Sequence, residues 1–213
     1  MKSFRFIVTA VALLVVAPSS LFAQSRTSTD VGVFIVNSSF SDTTFVDGTD
    51  KVKVEFSEKL AYGVSVNHFW TDQFSTELAL QQLSADLNLS TEGVPVTINA
   101  GKIDAQSVTA LGEWHFRRNA RFSPYLGAGV ARISGEFKLN DTLLEPGDPS
   151  KVDLESETTW SAAAGANIHL TDRLSLGLEL KYIPWNPTEK GGIADDSIDV
   201  DPLTLSTGLR FRF

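Results

Sequence analysis

Residues 158–183 read TTWSAAAGANIHLTDRLSLGLELKYI. Before the polar turn Thr171-Asp172-Arg173, the even positions hold Trp160, Ala162, Ala164, Ala166, Ile168 and Leu170, while the odd ones hold Thr159, Ser161, Gly165, Asn167 and His169. After it, Leu174, Leu176, Leu178 and Leu180 alternate with Ser175, Gly177, Glu179 and Lys181. A period of two marks strands whose two faces meet different surroundings, and two such runs about a short turn form a hairpin. The question the stretch raises is what each face touches.

The same alternation recurs along the chain. Leu60, Tyr62, Val64, Val66, His68 and Trp70 form one apolar face, and Val52, Val54 and Phe56 keep its parity, so this strand is expected to start as early as Lys51. Val108, Ala110, Gly112, Trp114 and Phe116 form another, as do Phe122, Leu126, Ala128 and Val130. The last runs Leu203, Leu205, Thr207, Leu209, Phe211 and Phe213, opposite Thr204, Ser206, Gly208, Arg210 and Arg212. A short strand is expected over Asp30 to Asn37, and Leu154 shares its parity with Trp160. One run changes parity. Phe74, Thr76, Leu78 and Leu80 are even, and Leu83, Ala85, Leu87 and Leu89 are odd, which suggests a β-bulge near Gln82 that exchanges the two faces.

That makes eight strands, and their connections alternate too. Three are tight: Thr71-Asp72-Gln73, Arg117 to Arg121, and Thr171-Asp172-Arg173. Four are long, about Ser39 to Asp50, Ser90 to Lys102, Asn140 to Asp153 and Asn186 to Ser197. An even strand count with short turns on one side and long loops on the other is the outline of an outer-membrane barrel. The expected fold is all-β, an eight-stranded antiparallel up-and-down transmembrane β-barrel over residues 24–213.

Composition agrees. A mean hydropathy of −0.01 excludes a helical membrane bundle, and the absence of cysteine removes disulfides and thiolate metal sites. A formal charge of −8 argues against nucleic acid as a partner. Lys2 and Arg5 precede an apolar run from Phe6 to Ala17, with Pro18 and then Ala23 after it, so residues 1–23 read as a secretory signal peptide. Lipid can solvate the apolar faces, and strand closure satisfies the backbone groups that hydrocarbon would strand. Trp70, Phe74, Trp114, Phe116, Phe122, Phe211 and Phe213 lie at the turn ends, and Trp160, Tyr182 and Trp185 towards the loop ends. Two aromatic bands are what amphipathic rings form at the two interfaces of a bilayer.

FSPYLGAGVARI (122–133), residues 158–183 and DVDPLTLSTGLRFRF (199–213) together resemble the OmpW family of Gram-negative outer-membrane proteins, and YGVSVNHFWTDQFSTELAL (62–80) fits that family's second hairpin. The resemblance covers roughly residues 28 to 213. It implies passive, porin-like passage of small hydrophobic or amphipathic molecules across the outer membrane, with a dry constriction in the lumen and exit sideways through the wall. It also implies that the terminal Phe213 serves as an insertion signal for the barrel-assembly machinery. Where the family carries Leu-Pro-Pro in its fourth strand, this chain reads AQSVTALGEWHF (105–116).

The inward parity supplies polar candidates for a lumen or gating role. Glu77, Glu113, His115, His169, Arg210 and Arg212 fall near the periplasmic end, with Glu179 and Lys181 further up. An eight-stranded barrel is about wide enough for its own side chains. The expectation is an ion-paired plug in which Glu77 and Glu113 meet Arg210 or Arg212. No catalytic set is expected, because Ser161 and His169 are too far apart along their strand and the histidines cluster at the turn end. No cofactor or metal is expected either. The acidic residues Asp141, Glu145, Asp148 and Asp153, and Glu189, Asp195, Asp196, Asp199 and Asp201, lack calcium-loop spacing and read as solvated surface. The partners expected are outer-membrane lipid, lipopolysaccharide and a small hydrophobic solute. The alternative is a structural or surface-interaction barrel with a closed lumen, whose acidic extracellular loops mediate contacts.

Overall fold

The computed structural model describes residues 27–40, 43–47, 50–91, 97–118, 120–140, 150–186 and 201–213. Its strands are β1 (Ser28–Ser39), β2 (Thr43–Asp47), β3 (Asp50–Glu58), β4 (Leu60–Phe69), β5 (Phe74–Thr91), β6 (Thr97–His115), β7 (Phe122–Leu139), β8 (Lys151–Asp153), β9 (Glu157–His169), β10 (Leu174–Tyr182) and β11 (Leu203–Arg212). Every pairing is antiparallel, and β1 pairs with both β4 and β11, so the sheet closes on itself. The ring runs β1-β4-β5-β6-β7-β9-β10-β11, an eight-stranded barrel, while β3 continues β4 upward along β5 and β8 continues β9 along β7. The C-terminal strand is therefore no free edge. Arg210 pairs with Gly32 and Ser175, and Phe211 with Val31 and Leu174.

The two faces separate cleanly. Leu60, Tyr62, Trp70, Leu126, Trp160, Leu178 and Phe213 are exposed on the outside, Leu178 at 50% and Phe213 at 67%. A soluble chain does not present so continuous an apolar belt to water. Inside, buried residues alternate with the belt on every strand of the ring, for example Ser65, Asn67 and Phe69 on β4 and Ser107, Thr109, Leu111 and Glu113 on β6. Gly129 on β7 lies close against β6: a Cβ there would lie 2.0 Å from the Ala110 carbonyl oxygen.

There is no bulge at Gln82, which pairs in register with Gln106. The extra residue lies on the neighbouring strand. Between Gly63↔Gln81 and Glu58↔Ala85 the chain takes five steps on one side and four on the other, so the fault falls at Lys59. Phe56 accordingly packs against the interior although Leu60 and Tyr62, of the same parity, face out. The apolar residues Leu83 and Ala85 stay on the inner face. Their change of parity reports that the interior turns from polar to apolar with height, and the two faces do not exchange. A second irregularity leaves Ala100 extra between Leu87↔Gly101 and Asn88↔Asn99, where Gly101 adopts a φ of 152° that suits glycine.

Leu154 also departs from Trp160: the strand breaks at Glu155 and Ser156, and Leu154 packs inward. Trp185, expected at the membrane interface, is 0% exposed and belongs to the interior cluster, because the inward parity of β10 continues through Ile183 to Trp185. The expected long loops are partly strand. β2 occupies residues 43–47, β5 and β6 run to Thr91 and back from Thr97, and β8 occupies residues 151–153. Residues 1–23, expected to be a signal peptide, and Asp141, Glu145, Asp148, Glu189, Asp195, Asp196 and Asp199, expected to be solvated surface, lie outside the described residues.

Candidate functional site

The interior is stacked in layers, and each follows from which side chains the inward parity supplies at that height. The lowest closes the mouth at the tight-turn end. Arg118, from the turn between β6 and β7, lies beneath the barrel with its guanidinium 3.8 Å from the centre of the Phe69 ring. It donates to the Thr71 carbonyl at 3.3 Å and to Ser28 Oγ, and it lies 3.6 Å from Asp72. Its own carbonyl is 2.8 Å from His169 Nε2, and His169 Nδ1 is 2.6 Å from Ser175 Oγ. Beside it, Arg212 forks onto Asp30 through two hydrogen bonds at 3.0 and 3.1 Å. This bidentate pairing is the strong form of an arginine–carboxylate contact.

Above lies a network of buried charges. Glu77, Glu113 and Glu179 bring carboxylate oxygens within 4.8 Å of one another, all buried. Arg210 Nη2 is 2.8 Å from Glu77, Lys181 Nζ is 2.9 Å from Glu179 and 3.6 Å from Glu77, and Tyr125 donates its hydroxyl to Glu179 at 2.9 Å. Arg210 also donates to the Tyr125 oxygen at 3.3 Å and stands 5.0 Å from the centre of the Phe34 ring. Glu113 takes hydrogen bonds from Asn67 and from Ser75, at 3.0 Å for the latter, and lies 3.1 Å from His115 Nε2. The two arginines therefore have different partners. Arg210 meets Glu77, while Arg212 turns to Asp30, and Glu113 rests on His115 and neutral donors.

Burying charges is costly unless each is paired and hydrogen-bonded, and the small lumen of an eight-stranded barrel forces that pairing. Ser75, His115 and Glu113 do meet, but the serine and the carboxylate both contact His115 Nε2. A nucleophile relay needs the acid on the far ring nitrogen, so this trio lacks that geometry. Ser161 instead donates to the Tyr182 carbonyl.

The third layer is apolar. Phe34, Val36, Phe40, Ala61, Leu83, Ala85, Ile103, Ala105, Ile133 and Trp185 form one buried cluster in the loop-side half, with Phe56, Phe137 and Leu154 packed against it. It adjoins the place where β4 and β5 are unpaired, above Gly63↔Gln81 and below Glu58↔Ala85. Sequence reasoning missed Asp30, Tyr125, Asn67, Ser75 and Arg118. Tyr125, Asn67 and Ser75 share the inward parity already visible on their strands, whereas Asp30 lies near the start of a strand whose faces are blurred in sequence and Arg118 sits in a turn that has no period to read.

A closed ring with lipid-facing apolar strands and an interior filled by its own side chains, charged below and apolar above, defines a small outer-membrane β-barrel. The chain belongs to the outer membrane protein beta-barrel domain family, whose model matches residues 6–213. It is 22% identical over 178 residues to the uncharacterized outer-membrane protein y4mB of Sinorhizobium fredii, covering 81% of this chain and 74% of that one. Its fold is similar to that of OprG from Pseudomonas aeruginosa, with a TM-score of 0.69 at 15% identity over 87% of this chain and 95% of that one. It is similar as well to Escherichia coli outer membrane protein W, with a TM-score of 0.51 at 18% identity over 89% and 100%. In fold the barrel is thus similar to OprG and to outer membrane protein W.

Proposed function

We propose that this barrel serves passive passage of small hydrophobic or amphipathic molecules at the outer membrane, by a route that leaves the interior through the wall above the charged layer. The observation that carries this reading is the position of the apolar cluster beside the unpaired stretch of β4 and β5, around Lys59 and Leu60. A solute entering from the loop side meets apolar side chains and a wall without its full ladder of hydrogen bonds. Below, it meets paired charges and the Arg118 closure. Export by a signal peptide over residues 1–23, and insertion through the C-terminal strand ending in Phe213, belong to the same proposal.

The test is equilibration of an apolar fluorophore into vesicles bearing the full chain. The expected result is faster uptake than in empty vesicles, with uptake of small ions unchanged. Equal rates with and without protein would overturn this reading. They would favour the second one, a structural or surface-interaction barrel, which draws on the side-chain filling of the lumen.

A further inference from the structure

We infer that the outer wall of β5, β6 and β7, just above the apolar belt, is a binding track for the phosphorylated headgroup of an anionic glycolipid of the outer leaflet. This rests on the outer-membrane placement of the barrel and is independent of whether any solute passes. The register arranges the outward side chains in rows. Leu80, Val108, Arg132 and Thr158 form one row, and Gln82, Gln106 and Ser134 form the next. Ser84, Asp104, Glu136 and Asp153 follow, and then Asp86, Lys102, Lys138 and Lys151. Moving away from hydrocarbon, the wall thus offers apolar groups with one guanidinium, then amides and a hydroxyl, then carboxylates, then ammonium groups.

Two recesses follow these rows. The lower, about 590 Å³, opens between lipid-facing Leu60 and Tyr62 and the polar groups of Gln82, Gln106 and Ser134, with the carboxylates Asp104, Glu136 and Asp153 and the single cation Lys138 along its upper side. The upper, about 390 Å³, is lined by Lys102, Lys138 and Lys151 with Asn99, Asn140 and Ser150, against a single carboxylate, Asp86. Asp86 is already held by Lys59 at 2.6 Å. Three lysines gathered in one recess stand out in a chain of net charge −8. They are held in place by the carboxylate row beneath, with Lys138 at 2.7 Å and Lys102 at 2.9 Å from Asp104, and Lys151 at 3.2 Å from Glu136.

An ammonium has three donors, so each lysine keeps capacity for an anion while paired. Arg132 is exposed at the belt's upper edge and makes no ion pair among the described residues. The order of groups matches a lipid whose acyl chains meet Leu60 and Tyr62, whose first phosphate meets Arg132, whose sugar hydroxyls meet the amides, and whose outer anionic groups meet the lysines. A soluble anion has no use for the apolar end of the track, which is why the lipid is the occupant.

The experiment places the full chain in nanodiscs of neutral lipid and titrates lipopolysaccharide, its dephosphorylated form, or glucose 1-phosphate, reading bound ligand by native mass spectrometry. The expected result is saturable binding of lipopolysaccharide near one to one, weakened at least tenfold by dephosphorylation and by the combined Arg132→Gln, Lys102→Gln, Lys138→Gln and Lys151→Gln variant. Because Lys138→Gln and Lys102→Gln also remove partners of Asp104, the pair Arg132→Gln and Lys151→Gln, which loses only the 3.2 Å contact to Glu136, a group Lys138 still holds at 2.6 Å, is measured separately and is expected to weaken binding several-fold. The pair Arg121→Gln and Arg173→Gln, at the opposite mouth, is expected to bind like the parent. Parent-like affinity of the fourfold variant, equal loss in the opposite-mouth pair, or equal competition by glucose 1-phosphate would each overturn the proposal.

Discussion

Replacing Arg210 with methionine isolates the charged layer. The variant keeps most of the stem volume but removes the cation 2.8 Å from Glu77, the hydrogen bond to Tyr125 and the stacking over Phe34. Glu77 and Arg210 are both almost fully buried, so the carboxylate left behind has little access to water. Breaking a buried pair from one side costs about 3–5 kcal/mol. Lys181, 3.6 Å from Glu77, takes up part of the charge, which places the expected loss near the lower end, about 3 kcal/mol. The double variant Arg210→Met/Glu77→Gln removes the stranded charge and is expected to recover at least half of that loss. Urea unfolding in detergent micelles, followed by tryptophan fluorescence from both directions, measures each step. A loss under about 1 kcal/mol for the single variant, or no recovery in the double, would refute the view that the layer is a mutually dependent set of paired charges.

Three further outcomes are expected. Gly129→Ala, whose Cβ would meet the Ala110 carbonyl at 2.0 Å, should impair folding, whereas Gly112→Ala, with nothing nearer than 3.5 Å, should be neutral or gain up to about 1 kcal/mol; refolding yield and urea midpoints separate them. Brominated lipids should quench single-tryptophan forms retaining Trp70, Trp114 or Trp160 but not one retaining Trp185; quenching of Trp185 would return it to the lipid face. Above the membrane, burial acts to raise the Asp104 carboxyl, but hydrogen bonds from Lys138, Lys102 and Ser84 outweigh it and hold the group below the usual carboxylate range. A depressed carboxylate stabilises the folded state above its unfolded value and loses that contribution as acid protonates it. Protection of the amides around residues 102–106, taken relative to the intrinsic exchange rate at each pH, should therefore fall on acidification below about pH 4, and Asp104→Asn should flatten that dependence.

The barrel was legible because lipid enforces its pattern on every crossing strand. Leu174 to Leu180 reads the same in sequence and in space, and so do the outward faces from Val108 to Phe116 and from Leu203 to Phe213. Above the membrane that enforcement ends. A strand there meets water outside and a side-chain core inside, so the apolar face is the inner one. That inversion is why Leu83, Ala85, Leu154 and Trp185 misled a reading that kept the apolar face outward throughout. Bulges add a second difficulty, because the extra residue at Lys59 is visible only against the partner strand's register. Within the lumen, parity named Glu77, Glu113, Glu179, Lys181, Arg210 and Arg212, but which acid meets which base depends on strand stagger. Asp30 lies directly opposite Arg212 across β1 and β11, and that pairing follows from closure alone.

The central claim is that the lumen, from the tight-turn mouth up through the charged layer, is occupied by its own side chains. Planar-bilayer recording of the full chain tests it most directly, with the Arg210→Met/Arg212→Met variant alongside. The account predicts no stepwise ion conductance from the parent. It predicts none from the variant either, because the apolar cluster and Arg118 still close the path. Resolved, ohmic channel steps from the parent, or their appearance once the two arginines are removed, would contradict it.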